Sequence, residues 1–137
     1  MPSEEQKQVL SFYDSMWAFM QETTKTQGKI AQQHARSVSA LFLRNRENTF
    51  TFDVQQADMQ ALPRPTLPVD LEEAIAVQAL YERVVHGLRE IMWNRYAFDV
   101  EHTPKTPVEK HASSVYRALQ EWCTQAAQNA KGLQSFY

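Results

Sequence analysis

Apolar residues recur at three- and four-residue steps along most of this chain, and that spacing restricts it to helices packed on helices. Val9, Tyr13, Met16 and Met20 begin the pattern; Thr23, Gln27, Ile30, His34, Val38 and Leu41 carry it on. At about 100° per residue, the stripe from Ile30 to Leu41 falls on the side already occupied by Val9 to Met20. Such phase-keeping predicts one helix from about Ser3 to Arg44, ~60 Å long. Ser3 and Gln6 have capping-box spacing at its start. Gly28 costs about 1 kcal/mol relative to Ala inside a helix, so a kink or break there is the alternative.

The chain changes character after Arg46. Asn48 to Val54 alternates at period two, with Phe50, Phe52 and Val54 on one side, and reads as extended. Residues 55–62 have room for one or two helical turns, and Pro63, Pro65 and Pro68 then favour an extended connection, making 48–69 a Pro-rich connector. A second helix is expected over 70–96, opened by Asp70 and Glu73. Its seam is Leu71, Ala74, Val77, Tyr81, Val84, Val85, Leu88, Ile91 and Met92. Residues 97–105 read as a loop. The third helix, 106–135, has the clearest start, with Thr106 as N-cap, Pro107 in the first turn and Glu109 three residues after the cap. The expected fold is all-α: an antiparallel bundle of three long amphipathic helices (about 3–44, 70–96 and 106–135) in a single domain spanning 1–137. A ~60 Å helix cannot be covered by one of ~37 Å, so this reading also points to an oligomer.

Composition narrows the chemistry. Three glycines in 137 residues are too few for the tight turns of a sandwich or barrel, and neither GxGxxG nor GxxxxGK occurs. A lone cysteine, Cys123, leaves no intramolecular disulfide and no multi-cysteine zinc site. No apolar run approaches membrane-spanning length, and the first residues do not resemble a signal peptide, so a soluble cytoplasmic protein is expected. The Glu-x-x-His pairs of a di-iron bundle are missing. The nearest pair, Glu82 and His86, lies off the seam beside Arg89. Cys123 has no histidine at helical spacing, His111 being three turns away, and Glu4-Glu5 and Glu72-Glu73 suit the helix dipole. No catalytic residue, metal or cofactor is expected. His34, with Gln27, Thr23 and Thr24, reads as a polar layer that sets register.

Charge is unevenly distributed. Residues 23–46 contain Lys25, Lys29, Arg36, Arg44 and Arg46 and no acid, whereas 47–109 is net acidic. That basic face fits an acidic partner surface or, as an alternative, a phosphate backbone. Phe12, Trp17 and Phe19 widen the apolar arc of the first helix, and Trp93 sits off the seam of the second near Ile75. The chain ends on Phe136 and Tyr137, aromatics that imply a terminus docked on its own bundle or on a partner. These six residues are the expected protein-interaction sites, and a non-enzymatic scaffold, adaptor or assembly subunit is the expected function. Asp70 to Tyr81 and Pro107 to Arg117 also resemble phasins, which implies an amphipathic coat of a storage granule or lipid surface. Three Trp and the Pro-rich connector depart from that family's Ala-rich habit.

Overall fold

The structure, a computed structural model, describes residues 3–51 and 66–136, with the backbone alone at Phe50 and Thr51. Among the described residues it is all-α, with four helices where three are expected: α1 (Glu4–Thr26), α2 (Lys29–Thr51), α3 (Leu71–Tyr96) and α4 (Pro107–Gln134). The anticipated first helix is two. Gln27 leaves helical geometry with ψ 146°, and the Gly28 carbonyl accepts from the amides of Ala31 and Gln32 to start α2. Threonines weaken the end of α1 by offering its backbone other bonds. Thr24 Oγ1 donates to the Met20 carbonyl and Thr26 Oγ1 to the Thr23 carbonyl. Gly28 itself has no positive φ.

Once the chain turns, phase need not be kept. The face that α2 buries is Ala31, Ala35, Val38, Leu41, Phe42, Asn45 and Thr49. This stripe is centred about one residue away from the one read in the sequence, leaving Ile30 41% exposed and His34 only partly buried. Residues 48–51 are helical rather than extended; the period-two alternation of their residues coexists with a buried Thr49 whose hydroxyl donates to the Asn45 carbonyl. Residues 52–65, including Phe52, Val54, Pro63 and Pro65, lie outside the described residues. The expected loop at 97–105 is present, and Ala97 adopts a left-handed conformation at φ 51° to end α3.

Cross-helix bonds set the directions. Gln6 with Thr49, Asp14 with Arg46 and Gln21 with Ser39 make α1 and α2 an antiparallel hairpin. His34 near the start of α2 meets Glu73 in the first turn of α3, so those neighbours run the same way. Asn129 Nδ2 donates to the Pro68 carbonyl, returning α4 antiparallel to α3. The end of α2 and the start of α3 therefore lie at opposite ends of the bundle, ~35 Å apart. Of the two diagonals, the backbones of α1 and α3 approach closely, while those of α2 and α4 do not among the described residues. The close approach has a local cause: Phe19 lies over Gly87, where an added Cβ would sit 2.4 Å from its ring.

Helix lengths now match, and every helix contributes to one core. Phe12, Tyr13, Met16 and Met20 of α1 pack with Phe42, Leu80, Tyr81, Leu88, Met92 and Leu119, all 0–1% exposed. Each such side chain contributes about 1.5–3 kcal/mol through burial. The length mismatch that suggested an oligomer is removed within the chain. Capping boxes form at both Ser3/Gln6 and Thr106/Glu109, and Asp70 caps α3.

Candidate interaction surfaces

Most polar groups inside the bundle have structural partners; the buried hydroxyls of Thr23 and Ser113 have none among the described residues. Tyr13 Oη lies 2.7 Å from His111 Nδ1 in the core, and burial pushes the phenol's ionisation far above its usual range. The phenol thus stays protonated, and its hydrogen bond with the imidazole ties α1 to α4. Sequence reading weighed His111 only against Cys123 and missed this pair. Its one available signal was that Lys110 to Ser113 sit directly after a strong cap, where a helix enters the core. His34 Nε2 meets Glu73 Oε1 at 3.3 Å, so it links α2 to α3 rather than forming a layer with Thr23, whose buried hydroxyl has no hydrogen-bond partner.

At the α3–α4 turn, Arg89 pairs with Glu101 at 3.1 Å. The same carboxylate oxygen accepts from Tyr116 Oη, and Gln120 donates to that phenol. Cys123 is half-buried in an open cleft of about 440 Å³ beside Glu82 and Val85. Burial, with Glu82 nearby, pushes its thiol up to about 11, so it stays protonated and weakly nucleophilic at neutral pH. Glu82 and His86 do not converge on a common site; His86 pairs with Glu90 at 3.1 Å. Among the described residues no group of three His, Cys, Asp or Glu is placed to hold a metal ion, and no helix is long and apolar enough to cross a membrane.

The expected interaction residues separate into distinct environments. Phe12 is entirely core, so it holds the fold together and presents no surface. Phe19 is half-buried over Gly87. Trp17 is 38% exposed, Trp93 63% and Phe136 85%. Phe136 therefore does not pack on its own bundle, one of the two docking places expected for an aromatic terminus. Tyr137 lies outside the described residues. One end of the bundle, formed by the α1–α2 turn, the start of α3 and the end of α4, carries four exposed apolar side chains: Ile30, Leu67, Val69 and Phe136. Periodicity could not reveal this grouping, because it depends on which helix ends meet.

Of the basic residues, Arg46 donates to Asp14 at 2.6 Å and Lys25 to Glu22 at 3.1 Å. Lys29, Arg36 and Arg44 are exposed on α2 and make no ion pair with a described residue. Both phasin-like stretches begin helices, α3 and α4; Ile75 is 48% exposed there, while Ala74, Val77, Tyr81, Val108, Ala112 and Val115 are buried. A granule surface would meet these buried residues only if the bundle opened. No family model, curated protein or solved structure matches the chain.

Proposed function

We propose that this chain is a non-enzymatic helical adaptor or assembly subunit that works through protein–protein contacts. The observation that carries the reading is the apolar end of the bundle. Ile30 is 41% exposed, Leu67 38%, Val69 89% and Phe136 85%, and three separate segments of the chain bring them to that end. Single exposed apolar side chains are ordinary, whereas several gathered on one face mark an interaction site. Trp93, exposed near the other end, is a second anchor of the kind that dominates binding hot spots.

Light scattering across a concentration series tests the reading. The expected result is reversible self-association that Val69→Ser with Phe136→Ser abolishes without lowering thermal stability. If the chain is monomeric, the same pair of substitutions must eliminate co-purification of a bound protein. Unchanged behaviour on both counts would remove the assignment.

A further inference from the structure

The outer groove between α1 and α2 combines features that no part of the fold uses. Asp14 with Arg46 and Gln21 with Ser39 fix the hairpin's register, and that register places Trp17 across from Leu43. Both are partly exposed, at 38% and 41%. One turn further along, Gln21, Ser39 and Ala40 line an open cleft of about 440 Å³ that also reaches Arg36 and Leu43. On α2, Lys29, Arg36 and Leu43 are spaced so that they lie within about 20° of one line, a stripe ~21 Å long. Lys29 and Arg36 make no ion pair with a described residue, and no acidic residue occurs from Thr23 to Arg46. An apolar seat therefore stands at one end of a row of two exposed cations, Arg36 and Lys29, with small and amide side chains between.

We infer that this groove takes an acidic amphipathic helix from a partner protein, with a large apolar residue seated by Trp17 and Leu43 and carboxylates facing Arg36 and Lys29. The inference rests on the protein-binding reading above and names the partner chemistry for a different face. A helix laid along a two-helix groove presents side chains at the spacing of the helix it packs on, so the partner repeats the Lys29–Arg36–Leu43 interval. Charge complementarity selects the acidic partner. A protein segment is favoured over a nucleic-acid backbone because Asp14 and Glu22 flank the groove on α1, where they would oppose a continuous row of phosphates.

The probe is an alanine-rich helical peptide carrying Leu, Glu and Glu at the spacing of Leu43, Arg36 and Lys29, titrated into the ¹⁵N-labelled full chain. Saturable amide shifts confined to the α1–α2 groove are expected. Arg36→Glu should weaken binding at least threefold, and a peptide with Lys opposite that position should restore it. Trp17→Ala should weaken it about tenfold. An absence of groove shifts, or Arg36→Glu without rescue by the Lys peptide, would overturn the inference. Tighter binding of an oligothymidylate to the same amides would also overturn it and assign the groove to nucleic acid. Val69→Ser with Phe136→Ser leaves this groove intact, so failure here and failure of the adaptor reading are told apart.

Discussion

The two hairpins of this bundle are built to different rules. Helices α3 and α4 carry side-chain caps at their starts and a ring contact between Tyr81 and Trp122 at 5.8 Å between centroids. Their connection closes with Ala97 in the left-handed region and the Arg89–Glu101–Tyr116 cluster. Helices α1 and α2 meet across polar rungs, Gln6 with Thr49, Asp14 with Arg46 and Gln21 with Ser39, and turn at Gln27 and Gly28 without a positive φ. The first hairpin leaves exposed cations and Trp17 on its outer face. The contrast teaches that α1–α2 can present a surface because Trp17, Leu43, Arg36 and Lys29 stay exposed beside its polar rungs, while residues of all four helices share the core beneath.

The largest expected effect tests that shared core. Phe12→Ala in α1 and Leu88→Ala in α3, both 0% exposed, should cost about 3–5 and about 2–5 kcal/mol respectively. Urea unfolding followed by circular dichroism should show one cooperative transition in each variant. A separate early transition in Phe12→Ala alone would make α1–α2 an independent, weaker unit.

High pH separates the hairpins next. Within α3–α4, burial pushes Cys123 up to about 11 from 9.0 and Tyr81 up to about 12 from 10.0. Between the unfolded and folded values the native state holds protons that the unfolded chain has released, so stability falls as pH rises. It should be complete below about pH 9 and decline through pH 11–12. Cys123→Ala should remove the earliest part of that decline in a pH series of urea midpoints. Tyr13→Phe, which removes the buried hydrogen bond between Tyr13 and His111, should cost about 1–3 kcal/mol at neutral pH and reduce the latest part.

Gly87→Ala addresses the diagonal where the hairpins meet. Helix propensity gains about 1 kcal/mol, but the new methyl meets the Phe19 ring, and overpacking costs about 1–3 kcal/mol. A net loss of about 1 kcal/mol is expected, relieved when Phe19→Ala is added; additive losses would mean that the contact is not shared. The smallest effect is at the turn itself. Nothing lies within 4 Å of a Cβ at Gly28 and its φ is not positive, so Gly28→Ala should change stability by less than about 0.5 kcal/mol.

Much of α3 and α4 could be read from the residues, because Asp70, Thr106, Pro107 and Glu109 announce helix starts through local bonds. The break after Thr26 was named only as an alternative. It rests on competing threonine hydroxyls and on a core that rewards folding back, and the second of these is not local. For the same reason, α2 buries Ala35 and Phe42 in places where periodicity pointed to Ile30 and His34. Lys29, Arg36 and Trp17 were legible as surface candidates. The register that aligns them was not, since it depends on bonds between residues more than thirty positions apart, such as Asp14 with Arg46.

Both proposed surfaces depend on α1 folding back onto α2. Spin labels at Ser11 and Glu47, both exposed, on a Cys123→Ala chain diluted with unlabelled protein, read that fold directly by electron–electron dipolar spectroscopy. The hairpin, with Asp14 bonded to Arg46, predicts a short distance of roughly 20 Å including the label arms. A distance near ~54 Å, the length of an unbroken helix between those positions, would contradict the account and restore a continuous first helix.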